Sequence, residues 1–123
     1  GLCVHPLDLA LLGSAIGQTA SGEDHIVIPR KWINDTLSNG NLDAWRSGDF
    51  ANFLPNGNYR NQWYLNDTGS PAILAIGIHG QWLYIEPKSQ IVIVKFSSEA
   101  QPVDETADIE LIEFFDRVCR VIT

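Results

Sequence analysis

With 123 residues, 45% of them hydrophobic and four tryptophans among them, the chain is long enough for one core and too short for two. Its formal charge of −7 offers phosphates no cationic surface, which argues against nucleic acid or an anionic membrane as a partner. No apolar run approaches the roughly 20 residues that span a bilayer, and no secretory signal pattern stands at the N-terminus, so a soluble chain of the cytoplasm or periplasm is expected.

The sequence opens on Gly1-Leu2-Cys3-Val4 and contains no methionine, as expected either of a chain whose beginning was removed by processing or of the C-terminal piece of a longer protein. Residues 6–17 carry a helical pattern in which Leu7, Leu11 and Ala15, with Leu12 and Ile16, form an apolar stripe. Pro6 suits its first turn and Asp8 complements the dipole. Ile26-Val27-Ile28 leads into Pro29, after which residues 31–37 read as a short helix packed through Trp32, Ile33 and Leu37 and stopped by Asn39-Gly40. Residues 41–57, rich in Asn, Gly and Asp, read as a long loop pinned to the body by Trp45, Phe50 and Phe53.

Strands are predicted over 59–65, 73–78, 81–86 and 91–96, separated by turn signals at 66–71 and 87–90. Connections this short favour an antiparallel meander. The last element is a helix over about 104–121, with Asp104, Glu105 and Asp108 in its first turn and Arg117 and Arg120 in its last. Its apolar face (Leu111, Ile112, Phe115, Val118, Cys119, Ile122) is wide enough to require a sheet beneath it. The fold class is therefore α+β: an antiparallel sheet of three to four strands, a packing C-terminal helix and two N-terminal helices, in one segment covering 1–123. Cys3 and Cys119 are either one disulfide or two free thiols, and the apolar face carrying Cys119 favours thiols.

Few residues point to chemistry. No serine has the flanks of a Gly-x-Ser-x-Gly elbow, and Gly77-x-x-Gly80 lacks the lysine and hydroxyl of a phosphate loop. His5, His25 and His79 are far apart, and Glu23-Asp24-His25 has adjacent rather than one-face spacing, so neither a metal nor a cofactor is expected. Asn34-Asp35-Thr36 and Asn66-Asp67-Thr68 fit a glycosylation pattern at the frequency chance allows in an Asn-rich chain. The informative stretch is 75–85, Ala-Ile-Gly-Ile-His-Gly-Gln-Trp-Leu-Tyr-Ile, a strand leading through a Gly-flanked bend into another. Gly77 and Gly80 remove side chains where a bulge, a second backbone or a ligand comes close. Beyond the bend, Gln81, Leu83 and Ile85 point one way and Trp82, Tyr84 and Glu86 the other.

In order and spacing, these segments resemble the C-terminal part of the serine β-lactamase-like hydrolases, closest to the branch of 6-aminohexanoate-dimer hydrolase and related esterases. The resemblance rests on Gly1-Leu2-Cys3-Val4 with Asp8-Leu9-Ala10, on Ile28-Pro29-Arg30-Lys31-Trp32, on Tyr59-Arg60-Asn61-Gln62-Trp63-Tyr64, and above all on residues 77–85. It implies the C-terminal portion of a β-lactamase or penicillin-binding-protein fold, acting on a small amide or ester through an acyl-enzyme. Ile78-His79-Gly80 would occupy the family's Lys-Thr-Gly box. Ile78 and His79 would then bind substrate, and the Gln81 backbone N–H would be one oxyanion donor. Such donors are worth roughly 3 to 4 kcal/mol each, and a Cβ at Gly80 would push the acyl group away. Ile78 replaces the box lysine, which disfavours substrates carrying a β-lactam carboxylate.

The family's Ser-x-x-Lys nucleophile does not occur in this chain, so the isolated chain is expected to be inactive. Tyr59-Arg60-Asn61 matches the family's Tyr-x-Asn as letters but stands about 20 residues before the box, and reads better as the start of a strand beside it. The structural alternatives are a half-buried strand histidine at 79, a bulge glycine at 80 and an ordinary strand residue at 81. The functional alternative is a non-catalytic binding or interaction domain of the same ancestry. A segment cut from such a fold would expose an apolar sheet or helix face and could form a homodimer through it.

Overall fold

The computed structural model describes residues 1–67 and 71–123. The predicted turn at 66–71 and the Asn66-Asp67-Thr68 pattern therefore lie partly outside the described residues. The elements in chain order are α1 (Pro6–Ala20), α2 (Arg30–Ser38), α3 (Leu42–Arg46), a 3₁₀ turn (Asp49–Asn52), β1 (Gly57–Arg60), β2 (Trp63–Asn66), β3 (Ala72–Gly77), a second 3₁₀ turn (Ile78–Gly80), β4 (Gln81–Glu86), β5 (Ile91–Lys95) and α4 (Glu105–Ile122). The five strands form one antiparallel sheet in sequence order, so the fold is α+β and a meander. No described helix is long and apolar enough to cross a membrane.

Five strands replace the expected three to four because the predicted strand over 59–65 is a hairpin. It reverses at Asn61 and Gln62, both at positive φ (53° and 69°), and Arg60 pairs with Trp63 across the turn. Asn favours that conformation but Gln does not, so the two-residue turn signal is half missing from the sequence. Tertiary contacts supply the rest: Asn61 Nδ2 donates to Asp35 Oδ2 (3.0 Å) and Thr36 Oγ1 (2.9 Å), fastening the turn to α2. Consequently β1 lies at the edge, and it is β2 that pairs with β3.

Both faces of the sheet are covered, which is why β4 is buried at nearly every position rather than at alternate ones. Leu83, Ile85 and Ile73 meet Ile16 and Ile33 of α1 and α2 on one face. Trp82, Tyr84 and Leu74 meet Ile112, Phe115 and Cys119 of α4, together with Trp45 and Leu54, on the other. Phe115 sits edge-on to Trp82 at 6.0 Å and tilted over Tyr84 at 5.2 Å. The α4 face is narrower than predicted, since Ile122 is 67% exposed.

The stripe assigned to α1 is the larger correction. Leu7 and Leu11 are 68% and 69% exposed, whereas Ala15 and Ile16 are buried as expected. The helix is rolled so that Leu9, Gly13, Ile16, Gly17 and Ala20 face the sheet. A Cβ on Gly13 would stand 2.7 Å from Val92 Cγ1, and one on Gly17 would stand 3.2 Å from Ile85 Cγ2. The two glycines let the helix axis come closer to the sheet than leucines would, and close packing outweighs the leucine pattern.

The predicted loop over 41–57 holds the short α3 and a 3₁₀ turn. The Asn41 side chain accepts from the Ala44 N–H at 2.9 Å as the α3 cap, and Trp45 donates through Nε1 to the Leu54 carbonyl at 3.0 Å. Trp45 is buried and Phe53 packs on the same core, so the aromatics do pin the segment. In α2, Ile33 is buried and Trp32 partly so, while Leu37 is 37% exposed and Thr36 takes the interior position. Cys3 is exposed, Cys119 is buried, and both are free thiols.

Candidate functional site

The stretch singled out by its glycines forms a tight bend between β3 and β4. The strands pair to their last residues, Gly77 with Gln81, and the connection turns at His79 (φ 58°, ψ 32°) and Gly80 (φ 78°), two consecutive left-handed residues. Ile78 projects with 62% exposure, Gly80 is buried and Gln81 is half-buried.

Two clefts meet at this bend. One, about 320 Å³, has Phe50, Phe53 and Tyr64 on one side, Ile78 and Gly80 on another and the start of α4 on the third. The other, about 560 Å³, lies between the N-terminal residues 1–4 and the far side of the bend, where Ile78, Gln81 and Phe96 line it. The Phe50 ring stacks on Tyr64 at 4.9 Å and 12° and so forms one wall of the first cleft. That cleft is acidic: Asp49, Glu99, Asp104, Glu105 and Asp108 border it. Burial, and then the charges of Glu99 and Asp104, push the Asp108 carboxyl above the usual carboxylate range. A cleft of this charge disfavours anionic ligands.

The bend is fastened to the segment that follows β5. The His79 N–H donates to the Pro102 carbonyl (3.0 Å), and the Glu99 N–H donates to the His79 carbonyl (3.3 Å). His79 Nδ1 lies 2.8 Å from the Glu99 carbonyl oxygen, which can only accept, so Nδ1 carries the proton. The Gln81 side chain bridges three groups: Nε2 donates to the His79 and Ser97 carbonyls, and Oε1 accepts from the Ser97 N–H at 3.1 Å. Lys95 Nζ donates to the Gly80 carbonyl (2.9 Å) and to Glu99 Oε1 (2.7 Å).

Of the four residues expected at the site, Ile78 lines both clefts, Gly80 the first and Gln81 the second, while His79 lines neither, and only Ile78 presents a largely exposed side chain. The His79 and Gln81 side chains are turned to backbone of the 97–102 segment. Gly80 has a structural reason for lacking a Cβ, which would overlap the Glu99 carboxylate and stand 2.7 Å from Lys95 Nζ. Lys95 and Glu99 carry no motif that marks them in the sequence; only the fold brings them to the bend. Among the described residues no group of three His, Cys, Asp or Glu side chains is placed to hold a metal ion.

The Tyr59-Arg60-Asn61 motif lies elsewhere, at the hairpin edge. Arg60 donates to both carboxylate oxygens of Asp35 (Nε 3.0 Å, Nη2 3.1 Å), with Asn39 (2.8 Å) and Asn61 (3.0 Å) adding further bonds. These donors, Arg60 foremost, hold the Asp35 carboxyl well below the usual range, and the carboxylate correspondingly raises the Arg60 guanidinium. Arg60 and Asn61 are occupied in joining α2 to the hairpin.

No protein-family model matches the chain. It is 32% identical over 95 residues to 6-aminohexanoate-dimer hydrolase of Paenarthrobacter ureafaciens, a match covering 77% of this chain and 24% of that protein. The chain thus spans about a quarter of the length of the curated relative it matches. It is distantly related to that hydrolase family.

Proposed function

We propose that the chain is part of a serine hydrolase of β-lactamase-like ancestry that cleaves amide or ester bonds through an acyl-enzyme. The single observation that carries the reading is the identity to an amide-cleaving hydrolase over 77% of the chain, the stretch at the cleft mouths being the part that resembles that family's box. In this reading Ile78 walls the substrate cleft, and His79, its ring bonded to the Glu99 carbonyl, ties the bend to the segment that follows β5. Gly80 keeps the box backbone close, and the Gln81 N–H is one of two donors to the carbonyl oxygen as it gains charge. The second donor and the nucleophile come from residues outside these 123, since Ser-x-x-Lys is absent here. The substrate is a small amide or ester without an anion beside the scissile bond, because Ile78 stands where a lysine would pair with it and the adjoining cleft is acidic.

The test is a comparison of two preparations with chromogenic esters and with the relative's named substrate, a 6-aminohexanoate dimer. The product of the whole gene turns over one of these, and the 123-residue chain shows neither turnover nor a burst. A burst from the isolated chain refutes the missing-nucleophile argument. A gene with no Ser-x-x-Lys codons outside this segment refutes the serine-hydrolase reading.

A further inference from the structure

The Gly80 carbonyl and the Gln81 N–H belong to the same peptide group, and the carbonyl end of that group accepts from a lysine. Lys95 Nζ reaches it at 2.9 Å from the neighbouring strand, with a side chain only 26% exposed, and Glu99 fixes the ammonium from its other side at 2.7 Å. An ammonium on a peptide oxygen draws electron density toward that end and makes the N–H at the other end a stronger donor, the cooperative strengthening of linked hydrogen bonds. A partly buried ammonium does this more effectively than one in bulk water.

We infer that Lys95 is a positioning residue that acts through the Gly80–Gln81 peptide group, orienting it and polarising its N–H, and that Glu99 holds Lys95 in place. The inference rests on the reading of Gln81 as a carbonyl donor. The geometry distinguishes it from a surface ion pair. The lysine gives one donor to the Gly80 carbonyl in the bend and a second to Glu99, and the same bend is also held by the Gln81 side chain and by His79. Gly80 is the residue that makes the arrangement possible, because any Cβ there would occupy the space in which Lys95 and Glu99 meet.

The test uses amide nuclear magnetic resonance of the 123-residue chain with Lys95→Met, Lys95→Arg and Glu99→Gln. Removing the ammonium moves the Gln81 amide nitrogen upfield while the amides of Tyr59 and Leu65, on β1 and β2, hold their positions. Lys95→Arg, which keeps the charge, restores most of the shift. A folded Lys95→Met chain whose Gln81 resonance is unmoved overturns the inference, as does a shift shared equally by the whole spectrum. Should Lys95→Met fail to fold, an alkaline titration of the unmodified chain decides: the Gln81 nitrogen follows lysine deprotonation, or the inference fails.

A short neutral amide such as butyramide separates this from the reading beneath it. A Gln81 amide that responds to Lys95 but not to butyramide overturns the donor reading and leaves the polarisation standing. In the whole hydrolase, Lys95→Met lowers kcat about tenfold with KM unchanged, a fraction of the roughly 10²–10³ lost with an entire oxyanion donor.

Discussion

Gly80→Ala separates the two reasons a glycine has for standing at 80. The sequence argument is clearance for an acyl group, which matters only with substrate present. The structure adds two costs that act without one. Alanine at φ 78° takes the left-handed conformation, at about 1–2 kcal/mol. Its Cβ also displaces the Glu99 and Lys95 side chains, and their partly exposed ion pair is worth about 0.2–1 kcal/mol. Together these predict about 1–3 kcal/mol of destabilisation, or a fall of roughly 5–12 °C in Tm for a chain of this size. Thermal melts of the wild type, Gly80→Ala, Glu99→Ala and the double variant resolve the parts. Glu99→Ala should cost a little in the wild type and recover stability in the Gly80→Ala background, leaving only the backbone strain. A Gly80→Ala chain melting within 2 °C of the wild type, or a Glu99→Ala effect identical in both backgrounds, refutes the reasoning.

Three further outcomes follow from the fold. Gly13→Ala gains about 1 kcal/mol of helix propensity but forces Cβ against Val92, a net loss of about 1–2 kcal/mol that Val92→Ala in the same chain recovers in part, read by urea denaturation. Asp35 has a folded pKa below its unfolded value near 3.9, so it stabilises the fold above that pH and loses the contribution as pH falls toward its folded pKa. Acid melts of Asp35→Asn should therefore show less loss of stability below about pH 4 than the wild type does, and equal losses would count against the Arg60 network. Cys119 is buried against Tyr84, and burial raises its thiol pKa, so a thiol reagent should modify Cys3 at once and Cys119 only on unfolding; prompt reaction of both would contradict the α4 packing.

Elements with a strong local signal were legible. Pro6 and Asp8 mark the start of α1, Asp104 caps α4 through the Ala107 N–H, and β4 and β5 follow their apolar runs. What the sequence concealed depends on contacts far along the chain. The Asn61-Gln62 reversal is held by Asp35 and Thr36, some 25 residues away, so residues 59–65 read as one strand. The roll of α1 is decided by two glycines whose value appears only when Val92 and Ile85 are known to lie beneath them. A leucine stripe is the stronger pattern by hydrophobicity, yet Leu7 and Leu11 remain largely exposed. α3 was the exception, since Asn41, Asp43 and Arg46 are ordinary helix-end signals that a long Asn-rich stretch disguised as loop.

The bend at 78–81 was legible for a different reason. A glycine pair interrupting two apolar strands is informative whatever causes it, because each glycine gives up side-chain burial and costs entropy that something must offset. The sequence leaves open whether the offset is a ligand or the protein itself. At Gly80 the protein fills the space, with Glu99 and Lys95 where a Cβ would be, while Ile78 beside it faces the clefts. The two causes are compatible in one bend. A backbone group that must present an N–H in a fixed direction needs its other atoms immobilised, and the side chains that immobilise it need the room a glycine leaves. Under the proposed function, that division of labour would put the chemistry in the backbone of 78–81 and the specificity in what surrounds it. His79 is thereby recast from a wall residue into a tie, its ring spent on the Glu99 carbonyl.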